Sequence, residues 1–342
     1  MKNTPDTTHD SQVLKRLDGK TAQFIEKLAA QDGPPLYKLS PSEARDLINK
    51  VQDSYPVDNA PVDIQEITIP AGPKGEISLL ILRPTNKAGS ADKTGSSKNT
   101  AKLPVIMYFH GAGWILGDEH TFDHLVRQIA HDAQAALVFV KYTRSPEVQY
   151  PVALEEAYAA TDYIVKHAER FNLDTSRLVV AGDSVGGNMA IGVTMLAKER
   201  KGPRIAYQVL FYPVTDGCMD TESYKQFAQG PWLTKPAMEW FWEAYEPDKT
   251  ARMKPLLSPL HASIDQLKDL PPALVITAEN DVLRDEGEAY AHKLMEAGIK
   301  VRAVRCLGTT HDFVMLNALA NTPAAQAALG LVKTTLRELF TR

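Results

Sequence analysis

Leu178-Val179-Val180-Ala181-Gly182-Asp183-Ser184-Val185-Gly186-Gly187-Asn188-Met189-Ala190-Ile191-Gly192-Val193 passes from a continuous apolar run, through a Gly-x-Ser-x-Gly turn, into a helix-like stretch. A serine between a strand end and a helix start reads as a nucleophile elbow. The backbone there is strained, the hydroxyl projects from the sheet, and the flanking glycines let strand and helix approach closely. The helix N-terminus behind it offers free N–H groups and positive potential. Such a short pattern also arises by chance, and its place at a strand-to-helix junction is what distinguishes this one. Ser184 is the candidate nucleophile.

The alternation seen around Ser184 extends in both directions. Strands are expected at 64–69, 77–82, 105–109, 137–141, 178–181, 207–212, 273–278 and 301–306, and helices at about 121–133, 152–169, 187–198, 286–297 and 324–340. Nearly continuous Val/Ile/Leu runs separated by amphipathic helices demand an α/β fold: a mainly parallel central sheet covered by helices on both faces. Residues 1–50 read as a helical N-terminal segment broken at Gly33-Pro34-Pro35, with 51–342 as the main domain. Residues 87–102, rich in Gly, Ser, Lys and Thr, read as a solvated loop. The alternation pauses at about 215–260, where Phe227, Trp232, Trp240, Phe241, Trp242 and Tyr245 suggest a helical insertion lying over the strand ends as a lid. Trp114, Trp232 and Trp240 are candidates for substrate contact, against the plainer reading that such rings pack an inserted helix onto the body.

With 342 residues, 44% of them hydrophobic, the chain can bury a sizeable core. A net charge of −4 without a long basic cluster gives no footprint for nucleic acid. Cys218 and Cys306 lack the spacing of a metal or redox site and read as reduced thiols. The first residues carry no apolar signal core, and no run reaches the length of a membrane span, so a cytoplasmic protein without a membrane span is expected. A second copy of the chain is allowed as a partner, and the oligomeric state is left open. His120 and His124 stand four apart, but no third ligand accompanies them, and a solvated helix face is the expectation rather than a metal site.

A serine nucleophile needs a base, and the base needs an orienting acid. In the serine, acid, histidine order that accompanies such elbows, only His261, His292 and His311 follow Ser184. His292 falls mid-helix and His261 at the edge of the insertion. His311, reached from strand 301–306 through the loop Leu307-Gly308-Thr309-Thr310, is the candidate base. Asp281, just past strand 273–278, is the candidate acid. Glu279 is read as a structural group and Asp285 as a first-turn helix residue. His110-Gly111-Ala112-Gly113-Trp114 directly follows strand 105–109, and its backbone N–H groups, with that of Val185, can serve a developing oxyanion. The base must be neutral, so an acid limb in the rate at about pH 6–7 is expected.

These motifs, together with Ser145-Pro146-Glu147, Tyr150-Pro151, Asp281-Val282-Leu283-Arg284-Asp285-Glu286-Gly287 and Gly308-Thr309-Thr310-His311-Asp312-Phe313, resemble the hormone-sensitive-lipase family of α/β-hydrolases, whose bacterial members are called family IV esterases. The resemblance runs from about residue 75 to the C-terminus. It implies an α/β-hydrolase fold with a helical cap, a triad of Ser184, Asp281 and His311, an oxyanion hole of Gly111, Ala112 and Val185, and hydrolysis of short- to medium-chain acyl esters without a cofactor. Ala112 stands where the family often has glycine and Val185 where it often has alanine; backbone donors survive both changes. Two rivals stay open. One is an amidase or peptidase with the same triad, and the other is a ligand-binding receptor on the same scaffold. Plant hormone receptors of this family lost the histidine, which is present here.

Overall fold

The computed structural model describes residues 15–31, 33–85 and 101–341. Val13 and Leu14 of the N-terminal segment, and all but the last two residues of the expected loop at 87–102, lie outside them. Eight strands form one sheet: β1 (Val62–Ile69), β2 (Ile77–Pro84), β3 (Leu103–Phe109), β4 (Ala136–Lys141), β5 (Leu173–Asp183), β6 (Tyr207–Phe211), β7 (Ala273–Asn280) and β8 (Val301–Thr310). Their order is β1-β2-β4-β3-β5-β6-β7-β8. The β1–β2 and β2–β4 pairings are antiparallel and the others parallel.

The ten α-helices of the described residues are α1 (Gly19–Ala29), α2 (Pro41–Asp53), α3 (Glu119–Ala133), α4 (Val152–Lys166), α5 (Val185–Glu199), α6 (Glu222–Gln226), α7 (Lys235–Tyr245), α8 (Ile264–Leu267), α9 (Arg284–Glu296) and α10 (Pro323–Thr341). Side-chain alternation along the strands divides the core between the two faces of the sheet. Val105, Met107, Val138, Val180 and Val275 pack with α4, α5 and α9. Ile106, Tyr108, Leu137, Val179 and Ile276 pack with α3 and α10 on the other face. The inner strands are largely apolar because both of these faces are covered, whereas the edge strands β1 and β8 are mostly exposed and carry polar residues.

Local chemistry starts and stops the helices where the site needs them. Ser40 and Glu43 form a reciprocal capping box ahead of α2, with Pro41 at its first position. Asp118 caps α3, which ends on Gln134 in the left-handed conformation. The expected N-terminal boundary at residue 50 falls inside α2, which continues to Asp53. The chain runs from β3 to β4 on one side and from β5 to β6 on the other. This reversal opens a crevice at the carboxyl ends of β3 and β5, where open α/β sheets bind ligands.

At the far edge, the stretch expected as the loop 307–310 is strand. β8 runs on to Thr310, and its register against β7 breaks between Ala278 and Asn280. The Glu279 carboxylate accepts from the Gly308 N–H at 2.8 Å, and the Asn280 amide donates to the Thr309 carbonyl at 3.0 Å. These contacts hold the kinked end in the sheet, with Gly308 at φ 73 supplying the bend.

Candidate active site

Ser184 sits at φ 54, ψ −120, between the last residue of β5 and the first of α5. Such a turn excludes Cβ atoms on either side. A Cβ at Gly182 would lie 2.3 Å from the Gly186 carbonyl oxygen, and one at Gly186 would lie 2.0 Å from that of Phe109. The glycines of the motif are thus required by backbone contact between strand, helix and the neighbouring β3.

The His311 Nε2 lies 2.9 Å from Ser184 Oγ, and its Nδ1 lies 2.7 Å from Asp281 Oδ2. Asp281 Oδ1 accepts from the Leu283 N–H at 3.0 Å. An aspartate accepting from Nδ1–H leaves Nε2 as the acceptor facing the serine. All three side chains are buried, and the Tyr212 ring lies 4.6 Å from the imidazole. The two rival acids, Glu279 and Asp285, point elsewhere. Asp285 accepts from the Ser223 N–H at 2.7 Å and from Arg284 at 2.8 Å.

Three expectations need correction. Gly111 is not a free donor, because its N–H is given to Asp183 Oδ1 at 3.0 Å. The N–H groups of Ala112 and Gly113 make no hydrogen bond among the described residues, and both residues border the cavity at Ser184. Val185, at the first position of α5, has an N–H without an intrahelical partner. Trp114 does not line the cavity: it is fully buried, stacked on Tyr245 at 4.1 Å and tilted against Trp242. Trp240, half-buried, packs beside Phe241 and also stays outside the cavity lining. Trp232 does line it.

Two acidic residues beside the nucleophile and base went unnoticed in the sequence because each looks like ordinary motif filling. Asp183 accepts from the Tyr108 hydroxyl at 2.7 Å as well as from Gly111, and so ties the glycine turn after β3 to the elbow. Burial, with the Asp312 charge, pushes its carboxyl up to about 7 against those donors. Asp312, at φ 63, has Oδ1 3.4 Å from His311 Nε2 and accepts from Trp232 Nε1 at 2.9 Å through Oδ2. Burial alone would depress the His311 imidazole. Asp281 and Asp312 outweigh it and draw the pKa up to about 9, above the value expected from the sequence. His110 is the opposite case. Buried and stacked between Tyr142 and Phe139, it is pushed down to about 3 and stays neutral.

A cavity of about 450 Å³ rises from Ser184 and His311, bordered by Ile25 of α1, Ile48 of α2, Leu36, Trp232, Phe241 and Met315. The N-terminal helices reach it through specific bonds. Asp18 N–H donates to the Gly308 carbonyl at 2.9 Å, and Phe24 packs on Trp232 with centroids 5.6 Å apart. Arg45 of α2 makes a bidentate pair with Glu147, at 2.6 and 2.7 Å, and also donates to the carbonyls of Ile115 and Ser145. Buried Gln52 bridges the Thr121 and Met315 carbonyls. His120 and His124 are turned to different acceptors, Asp53 and Asn59.

Similarity to known proteins agrees with this arrangement. Residues 106–315 match a family described by the alpha/beta hydrolase fold. The crystal structure of a thermostable esterase from Pseudomonas putida superposes with a TM-score of 0.89 at 45% identity, over 94% of this chain and 97% of that one. An esterase of Gibberella moniliformis is 33% identical over 95% of this chain and 98% of its own length. The carboxylic ester hydrolase LipN of Mycobacterium tuberculosis is 38% identical over 77% of this chain and 68% of its own. Among the described residues, no helix is long and apolar enough to cross a membrane. The chain belongs to the α/β-hydrolase fold family, in its hormone-sensitive-lipase class, and is a carboxylic ester hydrolase.

Proposed function

We propose that the protein is a serine carboxylesterase for short- to medium-chain acyl esters, working through an acyl-enzyme on Ser184. The observation that carries this reading is the run of contacts Ser184–His311–Asp281 at the floor of an apolar cavity of about 450 Å³. Ser184 Oγ attacks the ester carbonyl while His311 Nε2 takes its proton. The same nitrogen then protonates the leaving alkoxide, and water repeats the cycle on the acyl-enzyme. Asp281 holds the imidazole tautomer and stabilises the imidazolium. The N–H groups of Ala112, Gly113 and Val185 are the proposed oxyanion donors, with Asp183 fixing the turn that carries the first two. No step needs a cofactor.

Beside Ala112, Gly113, Leu116 and Met315 of the body, the cavity walls come from the N-terminal helices and from the 215–260 insertion, which we read as the two parts of a cap over the catalytic domain. Their apolar side chains suit an acyl chain, and the volume suits one of modest length. A cytoplasmic enzyme, acting on small esters as a monomer or with a second copy, is compatible with this cap. The decisive experiment is Ser184→Ala, assayed on p-nitrophenyl esters of increasing acyl length and labelled with a fluorophosphonate. The expected loss in kcat is on the order of 10⁴ to 10⁶, with labelling abolished. Retention of more than about a tenth of the turnover would refute the nucleophile. A wild-type protein that binds but does not cleave esters would favour the receptor reading. Faster cleavage of matched amides would favour the amidase.

A further inference from the structure

We infer that Asp216, Cys218 and His261 form a binding site for a zinc-class divalent cation, which staples together the two stems of the 215–260 insertion. Neither stem carries a metal motif by spacing, because Asp216 and Cys218 belong to the outgoing stem and His261 to the returning one. The fold brings their donor atoms within 4.8 Å of one another. His261 Nε2 lies 2.8 Å from Asp216 Oδ1 and 3.9 Å from Cys218 Sγ. Around a tetrahedral zinc ion these two edges would be about 3.4 and 3.6 Å, so along both of them the donors need to move by only about half an ångström. Met253 Sδ, 3.3 Å from the thiol, backs the site with a second soft atom, and a water molecule can take the fourth position.

The stems are prearranged rather than merely close. The Leu260 N–H donates to the Thr215 carbonyl at 3.0 Å, and the Gly217 N–H donates to Ser258 Oγ at 2.8 Å. Glu286 of α9 receives the N–H groups of Thr215 and Asp216 at 2.6 and 3.1 Å. The Asp216 carboxylate accepts from the Cys218 N–H at 3.0 Å, which sets the direction of the cysteine. Cys218 and His261 are exposed, so the site has an entry path, whereas Asp216 is buried. Coordination forms the sulfur–metal bond and releases the thiol proton to solvent. The donor set of one imidazole nitrogen, one thiolate and one carboxylate favours zinc over calcium or magnesium, which take oxygen ligands.

The full-length protein is titrated with Zn²⁺ by calorimetry and with Co²⁺ by absorption. Cys218→Ser and His261→Gln, both surface changes outside the proposed catalytic residues, are the test variants. Expected are one saturable Zn²⁺ per chain, a thiolate-to-cobalt charge-transfer band, and slower amide exchange in residues 219–252 when Zn²⁺ is bound. Each variant is expected to weaken binding at least tenfold and to keep its basal ester hydrolysis within about twofold. Absence of saturable binding, absence of the cobalt band, or Zn²⁺ affinity within threefold of wild type in either variant would overturn the site. Equal competition by Mg²⁺ or Ca²⁺ would overturn the assignment to a soft ion.

Discussion

Asp312→Asn removes a charge beside the catalytic imidazole while leaving its shape in place. Asparagine tolerates the left-handed backbone at this position, where φ is 63, and its carbonyl can still accept from Trp232 Nε1. A full charge 3.4 Å from Nε2 would be worth about 5 kcal/mol at an effective dielectric near 20. Half of that charge resides on the oxygen turned to Trp232, and opposite charges at such range move a pKa by about 1–3 in practice. We therefore expect the acid limb of kcat/KM to move down by about 1–2 pH units. The sign follows from the mechanism: the limb marks loss of the neutral base, and Asp312 favours the charged form, so its removal makes the base available at lower pH. In the wild type the neighbouring carboxylates draw the imidazole up, so on the acid side of the limb activity is held back by protonation. For each pH unit by which the limb falls, kcat/KM at pH 7 should rise up to about tenfold. On the alkaline plateau the variant should lose rate, because the imidazolium formed during reaction is less stabilised. The assay is kcat/KM for a short p-nitrophenyl ester across pH 5–10, with melting temperature as the folding control. An acid limb unchanged within about 0.3 pH units would show that Asp312 carries no charge toward the base, and would refute this electrostatic account.

Ala112 holds φ 68, a conformation that costs an L-residue about 1–2 kcal/mol and glycine almost nothing. Ala112→Gly should therefore raise the melting temperature and change kcat only a few-fold; a lower melting temperature would count against strain there. The same angle makes Ala112→Pro unusable as a test of the backbone donor, since proline requires φ near −65° and would rebuild the turn. Gly186→Ala drives a Cβ to 2.0 Å from the Phe109 carbonyl oxygen, so the elbow must open; loss of fluorophosphonate labelling is expected, and normal labelling kinetics would show that the turn yields freely. Trp232→Ala removes a cavity wall and the donor to Asp312, so the preference across the ester panel should move toward longer acyl chains, and an unchanged profile would take Trp232 out of the acyl path.

Much of this protein was legible as local pattern. Apolar runs of strand length and helices with 3.6-residue periodicity are dictated by which neighbouring residues can share a buried face, so the strands and main helices fell close to their expected places. Gly182, Ser184 and Gly186 act within five residues, and their steric logic is contained in the motif. The order of Ser184, Asp281 and His311 could be read along the chain, but not their separations of 2.9 and 2.7 Å, which depend on where β5, β7 and β8 end in the sheet.

What the tertiary structure decided is the use of groups whose partners are far away in sequence. Gly111 looked like an oxyanion donor until Asp183, 72 residues on, took its N–H. Trp114 looked like a pocket wall, yet Tyr245 and Trp242 of α7 close over it, and only then is its ring buried away from the substrate. Asp312 acquires its influence on His311 from φ 63 and from Trp232, neither visible in the string of letters. Strand 301–306 lengthened to Thr310 because Glu279 and Asn280 of β7 supplied partners for backbone groups that would otherwise have turned to solvent. Sequence determines which backbone shapes and buried faces are cheap over a few residues. Which donor meets which acceptor is decided by long-range packing, and so the elements and the nucleophile could be read from the chain, while the oxyanion turn, the tuning of the base and the cavity walls required the fold.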